Sequence, residues 1–269
     1  GMGFALILKA TGVGNFAQGE LVMLTAYISF SLYTTFDLSF FPLMLVTIPI
    51  SMLIGLVLGR CFIGPRRGEP IFAIVMVPVG LAGILRGVTI MIWGPDPFNF
   101  NAGIPTEVVY VGSVPFYPAQ LYLIGALAVM TFAGWAFLRF SRMGIAMRAV
   151  AANETAALLV GISVSRIHAV AWMLSAAIAS VAGVLFAANF KLAPDLWFQG
   201  LKSFPAVILG GLDSVIGSAA AGLIIGLIEN LFQGYVGQGL REISGFIVIV
   251  IVLMVRPYGL FGSKDIERV

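Results

Sequence analysis

Few residues in this chain have the types that do chemistry, and most of those stand in or beside long apolar runs. They are Asn15, Gln18, Glu20, Arg86, Asp213 and Glu229, with Asn230 next to the last. In lipid such groups face protein or water and mark function by default. Each also has a plainer role. Asn15 and Asp213 are good helix caps. Glu20 lies in the first turns after Asn15, where the helix dipole favours an acid. Arg86 stands seven residues before Trp93, about 10 Å at helical rise, and is expected to snorkel to the outer surface. Glu229 and Asn230 suit an interface for the same reason. Hydrolytic chemistry finds no host. There is one histidine, His168, and one cysteine, Cys61. No GxxxxGK[ST], HExxH or GxSxG pattern occurs. No catalytic residue, metal centre, cofactor or internal disulfide is expected.

The elements that position these residues are membrane helices. The 269 residues are 60% hydrophobic and 10% charged, against roughly 25% charged in soluble domains. Mean hydropathy is +1.04. This is an all-α polytopic membrane protein, and its net charge of +3 speaks to loop orientation, not to nucleic acid. Residues 1–8 form the end of one helix. The opening at Gly1 is already apolar and lacks an initiator methionine, so the gene product is expected to begin earlier. After a break at 11–20 a new run goes from Leu21 to Tyr33. Spans follow at 38–58, 71–93, 119–138 and 169–190. Gly55-xxx-Gly59 and Gly83-xxx-Gly87 pairs suit close helix packing. Residues 94–118, rich in Pro, Asn and Gly, read as an external loop. Arg60, Arg66 and Arg67 make one cytoplasmic patch, and Arg256, Lys264 and Arg268 another at the tail.

Phe198 to Leu209 is apolar but shorter than the about 20 residues a span needs. It ends at Gly210-Gly211-Leu212-Asp213, and Val215 to Leu231 is apolar again. The pattern predicts a re-entrant hairpin over 198–231, tolerated only where protein or water covers it. Two full crossings there would turn the last span, 243–255, outward and put the basic tail on the wrong side. Counting the hairpin, about eight membrane segments are expected in a single domain, 1–269. Gly14 to Gly19 echoes Leu212 to Gly217, each placing Asn or Asp four residues before Gly at the start of a helix. Repeats with discontinuous helices build many transporters.

The longest central stretch unsuited to lipid is 139–168, with Arg139, Arg142, Arg148 and Arg166 against Glu154. It belongs in the cytoplasm. Ala146 to Leu159 reads as one helix between Gly144 and Gly161. Its Met147, Val150, Ala151, Leu158 and Leu159 would form an apolar face. Such a helix either touches a partner or lies flat on lipid, and pattern alone leaves both open.

Four stretches carry a family resemblance: Asn15-Phe16-Ala17-Gln18-Gly19-Glu20-Leu21; Gly144 to Gly161 with Ala156-Ala157-Leu158-Leu159-Val160-Gly161-Ile162; Gly210 to Ser218; and Val255-Arg256-Pro257-Tyr258-Gly259-Leu260-Phe261-Gly262. In this order they resemble the branched-chain amino acid ABC importer permeases, most closely the smaller permease subunit, over essentially the whole chain. The family commonly has His where Gln18 stands. The resemblance implies an inner-membrane permease subunit, multi-pass with a cytoplasmic C-terminus, moving branched-chain amino acids or related small polar solutes inward. Its implied partners are a second related permease, two cytoplasmic ATPase subunits, a periplasmic substrate-binding protein and membrane lipid, with no nucleic acid. The 139–168 loop becomes a coupling loop, with Gly144, Met147, Arg148, Glu154, Ala157, Leu158 and Gly161 as coupling residues. Asn15, Gln18, Glu20 and Asp213 become candidates for the translocation path. Two other classes stay in view. A passive half-helix channel would use Asn15-Phe16-Ala17 and Asp213-Ser214-Val215, though both lack the proline of an Asn-Pro-Ala signature. An ion-coupled carrier would need Glu20 and Asp213 as its acids.

Overall fold

The computed structural model describes residues 1–63, 71–111, 114–235, 237–256 and 258–262; of 62, 63, 71–74, 111, 114 and 238–242 only the backbone is described. Arg66, Arg67, Lys264 and Arg268 fall outside these residues. The chain is almost wholly helical. Its helices are α1 (Met2–Thr11), α2 (Gln18–Phe36), α3 (Phe40–Leu58), α4 (Ile71–Trp93), α5 (Pro118–Phe140), α6 (Arg142–Ala152), α7 (Glu154–Leu159), α8 (Val164–Asn189), α9 (Phe198–Lys202), α10 (Phe204–Gly210), α11 (Val215–Tyr235) and α12 (Gln238–Val255). Among the described residues five helices are long and apolar enough to cross a bilayer: 40–61, 75–93, 118–140, 164–189 and 215–235. Met2–Thr11 and Ile243–Val255 are shorter apolar helices. The polytopic membrane class therefore holds, while the finer count of eight segments resolves into five full-length apolar helices and several shorter or more polar ones.

α8 is the central mast. It packs against α1, α2, α3 and α5 and is the most buried of the candidate spans. Its sequence explains this: alanine, serine and glycine at close spacing let neighbouring backbones approach. A Cβ added to Gly183 would strike the Val22 carbonyl, and one at Gly55 or Gly59 of the α3 end would strike Trp172 of α8. The Gly55/Gly59 pair thus makes the predicted close packing. Gly83 and Gly87 of α4 do not; no atom of the described chain lies within 4 Å of an added Cβ there. That pair lies on a face of α4 that the described residues leave uncovered.

Helix 146–159 is not continuous. The chain breaks at Asn153, whose backbone is extended (φ −161, ψ 107), and α6 and α7 flank it. The cause is local: the Asn153 side chain accepts a hydrogen bond from the Ala156 N–H at 2.9 Å and so caps α7, a stronger preference for Asn than a mid-helix position. Between α4 and α5 the chain forms a small antiparallel hairpin, β1 (Val109–Val111) with β2 (Val114–Phe116). Phe98 pairs through its backbone with Leu192, joining this loop to the chain after α8.

Candidate functional site

The short helices α1 and α10 each end at a glycine with positive φ, Gly12 (φ 69) and Gly211 (φ 95), where other residues are strained. A tight polar turn follows each, and then a long helix. In the first turn the Asn15 side-chain carbonyl accepts from the Ala17 N–H at 3.0 Å. In the second the Ser214 hydroxyl accepts from the Gly217 N–H at 3.0 Å. The sequence echo therefore has a structural counterpart, with the Ser214 side chain closing the second turn as the Asn15 side chain closes the first.

The first break builds a buried polar junction. Asn15 and Gln18 are both buried, and the Asn15 amide donates to the Gln18 carbonyl oxygen at 3.2 Å. The Ser175 hydroxyl of α8 approaches that same oxygen at 2.7 Å and the Gly3 carbonyl at 3.0 Å. Gly3 leaves room for this network: a Cβ there would stand 2.6 Å from the Gln18 amide nitrogen and 2.8 Å from the Ser175 hydroxyl, so the bonds would have to shift. α1, α2 and α8 are thus fastened by one small network. Removing a single hydroxyl leaves Gln18 still bonded to Asn15. Ser175→Ala is expected to cost about 1–2 kcal/mol, read as a few degrees lower thermal midpoint of the purified protein with assembly retained.

Glu20 points elsewhere. Its carboxylate, buried at 3% side-chain exposure, forms an ion pair with Arg86 of α4. The Arg86 guanidinium also lies 3.5 Å from the centre of the Trp197 ring. Arg86 therefore points inward to an acid and an aromatic face, and not outward as the spacing to Trp93 suggested. Distance along a helix is blind to what stands beside it. Asp213 is apart from both groups. It sits in the α10–α11 turn, where the Lys9 ammonium donates to its backbone carbonyl at 2.9 Å. The C-terminal motif packs on the same turn: the Leu260 N–H donates to the Leu209 carbonyl at 2.8 Å. The path candidates thus fall into three places, with only Asn15 and Gln18 together.

A cleft of about 470 Å³ opens beside the polar junction, walled by α5, α8 and α11. Its polar lining is Gln18, Gln199, Lys202, Ser203, Ser218 and Glu229, with largely apolar walls between. Of the four path candidates only Gln18 reaches it. Glu229 stands out in the sequence, while the remaining polar groups of the cleft and junction carry little signal there. Ser175 and Ser218 look like small packing residues, and Gln199, Lys202 and Ser203 lie in a stretch too short to read as a helix.

At the α6–α7 end the coupling candidates divide. Gly144, Met147 and Ala157 are buried. Met147 and Val150 pack with Met2, Phe4, Val164 and Ile167 in one apolar cluster. Arg148, Glu154, Leu158 and Gly161 are exposed, and beside Leu158 the chain leaves Leu159 at 84% and Val160 at 76% exposure. The predicted single apolar face is therefore two surfaces: one turned into this chain, one turned away from it.

Five helices long and apolar enough to cross a bilayer among the described residues, with broken helices fastened at a polar junction beside a cleft, place the chain among multi-pass membrane proteins. The chain belongs to the family described as branched-chain amino acid transport system, permease component, whose sequence pattern matches residues 1–255. Across its whole length it is 28% identical to the high-affinity branched-chain amino acid transport system permease protein LivH of Salmonella typhimurium, covering 92% of that protein. It is 26% identical to BraD of Pseudomonas aeruginosa, a permease protein of the same description, at the same coverage. A more distant relative is the ribose import permease protein RbsC of Escherichia coli, 24% identical over 94% of this chain and 78% of that one. No solved structure matches the chain.

Proposed function

We propose that this chain is the smaller-type permease subunit of an ATP-binding cassette importer in a bacterial inner membrane. It would carry branched-chain amino acids or related small polar solutes inward, beside a second related permease. The observation that carries this is the family match over residues 1–255, joined to an apolar tip at Leu158–Val160 that its own chain leaves bare. ATP hydrolysis falls to two separate cytoplasmic ATPase subunits, and substrate arrives on a periplasmic binding protein.

In this reading α7 docks on an ATPase. α6 passes displacement inward through Met147 and Val150 to α1 and α8, the helices fastened to α2 at the Asn15–Gln18–Ser175 junction. The cleft next to that junction suits a zwitterion with an apolar side chain: mostly apolar walls with a few polar groups are the usual make-up of small-solute sites. The 139–168 loop and the C-terminal segment lie in the cytoplasm, the 94–118 loop outside, and 198–231 forms a hairpin entering from outside. The packing of α10 back along α11, with Gly210 against Gly217, supports that hairpin.

The test is purification of the native complex, followed by identification of its companion subunits and of the ligand on its binding protein. Co-purifying ATPases and an amino acid ligand are expected. Solute flux through the chain without ATPases would favour a channel, and flux that follows an ion gradient without ATP would favour a carrier. The family match speaks against both.

A further inference from the structure

An arginine inside a candidate span, paired with a buried carboxylate, calls for a reason, since ionised groups are costly there. Glu20 lies two residues from Gln18, which lines the cleft. Its partner Arg86 comes from α4, whose principal neighbours are α2, the turn 59–63 and the turn 194–197. One face of α4 packs on the start of α2, with Leu81, Leu85 and Thr89 buried and the two leucines clustered with Leu21 and Leu24; the opposite face stands clear, with Ile84, Val88 and Met91 exposed and no described atom within 4 Å of a Cβ added at Gly80, Gly83 or Gly87. The same guanidinium that pairs with Glu20 covers the Trp197 ring. Trp197 directly precedes α9, which brings Gln199, Gly200 and Lys202 to the cleft, with Ser203 following. Between these two attachments the backbones of Gly19 and Gly200 meet.

We propose that Arg86 is a positioning residue for transport. It ties α4 at once to the start of α2 and to the 197–203 segment, so that a shift of α4 moves two of the segments that bring polar groups to the cleft. This deepens the function proposed above and rests on it. A planar guanidinium can pair with a carboxylate through its edge while its face covers an indole; a lysine ammonium keeps the charge but not that fork-and-face geometry. Arg86→Lys and Trp197→Leu each remove the stacking half of the tie and leave an opposite charge for Glu20.

The experiment uses the full complex in proteoliposomes. Uptake of radiolabelled leucine is measured with ATP, and label-to-label distance between Val88 on α4 and Leu201 on α9, each replaced by spin-labelled cysteine in a Cys61→Ser background because Cys61 is exposed, is measured with and without nucleotide. In the wild-type background the α4–α9 distance is expected to stay fixed while uptake proceeds. In Arg86→Lys and in Trp197→Leu the ATPases still co-purify, uptake falls about tenfold, and the α4–α9 distance broadens. Assembled variants of both kinds that take up leucine at the wild-type rate, with the distance unchanged, overturn the proposal. If Arg86→Lys fails to assemble, Trp197→Leu decides alone, since it leaves the ion pair intact. If the wild-type complex itself shows no ATP-dependent uptake, the permease function fails first, and that outcome is distinct from transport that survives loss of the tie.

Discussion

Leu159→Asp is expected to detach the ATPase subunits while the permease stays folded in the membrane. Leu159 is 84% exposed at the end of α7, and α7 is held by the Asn153 cap. Burying a leucine at a partner surface contributes about 1.5–3 kcal/mol, and a carboxylate in the same place would have to be desolvated without a partner. The two together predict a loss of affinity of at least about a hundredfold, at roughly tenfold per 1.4 kcal/mol. Co-purification of the ATPases and thermal unfolding of the permease read the two effects apart. Met147→Ala should do the opposite. Met147 is 1% exposed, so truncation leaves a cavity costing about 2–5 kcal/mol of fold stability, while the fraction that folds binds ATPase as before. Only the first variant separates docking from a helix lying on lipid: in the latter case Leu159→Asp leaves co-purification intact.

Gly200→Val is expected to abolish recovery of the assembled permease. An added Cβ at Gly200 falls on the Cα and N of Gly19, and one at Gly19 falls on the Trp197 carbonyl. Both neighbours are backbone, so no rotamer change relieves the overlap. Overpacking usually costs about 1–3 kcal/mol and occasionally more; a backbone crossing with nowhere to yield belongs at or beyond the upper end. The same step would push 197–203 away from α2 and part Trp197 from Arg86. Gly87→Val is the control, with no described atom within 4 Å of the added Cβ. Yield of monodisperse complex and its thermal midpoint check the pair. Wild-type recovery of Gly200→Val would show that the crossing is looser than described.

These contrasts mark what sequence could and could not convey. Asn15 and Gln18 stand three apart at a helix start, so their pairing was legible from spacing. Their third partner was not: Ser175 is one small residue among the alanines of α8, and only packing makes it polar machinery. The two Gly-xxx-Gly pairs look alike on paper, yet Gly55 meets α8 while Gly83 meets nothing in the described chain, because a motif carries no information on which face a neighbour approaches. The spacing of Arg86 along its own helix carries no trace of its partners, which arrive from α2 and from the turn before α9. The break at Asn153 had a signal, an Asn followed directly by an acid and good helix formers, which is an N-cap pattern; the surrounding apolar periodicity masked it. The membrane class and the interrupted helices near Gly12 and Gly211 were plain because hydropathy and glycine act locally.

The most direct measurement of the central claim is leucine uptake into proteoliposomes holding the two permease subunits, with ATPase subunits and luminal ATP added or withheld and the loaded binding protein outside. The account predicts uptake only when ATPases and ATP are both present, and its loss when Leu159→Asp is introduced. Equal uptake without ATPases, or uptake driven by a proton or sodium gradient alone, would contradict it.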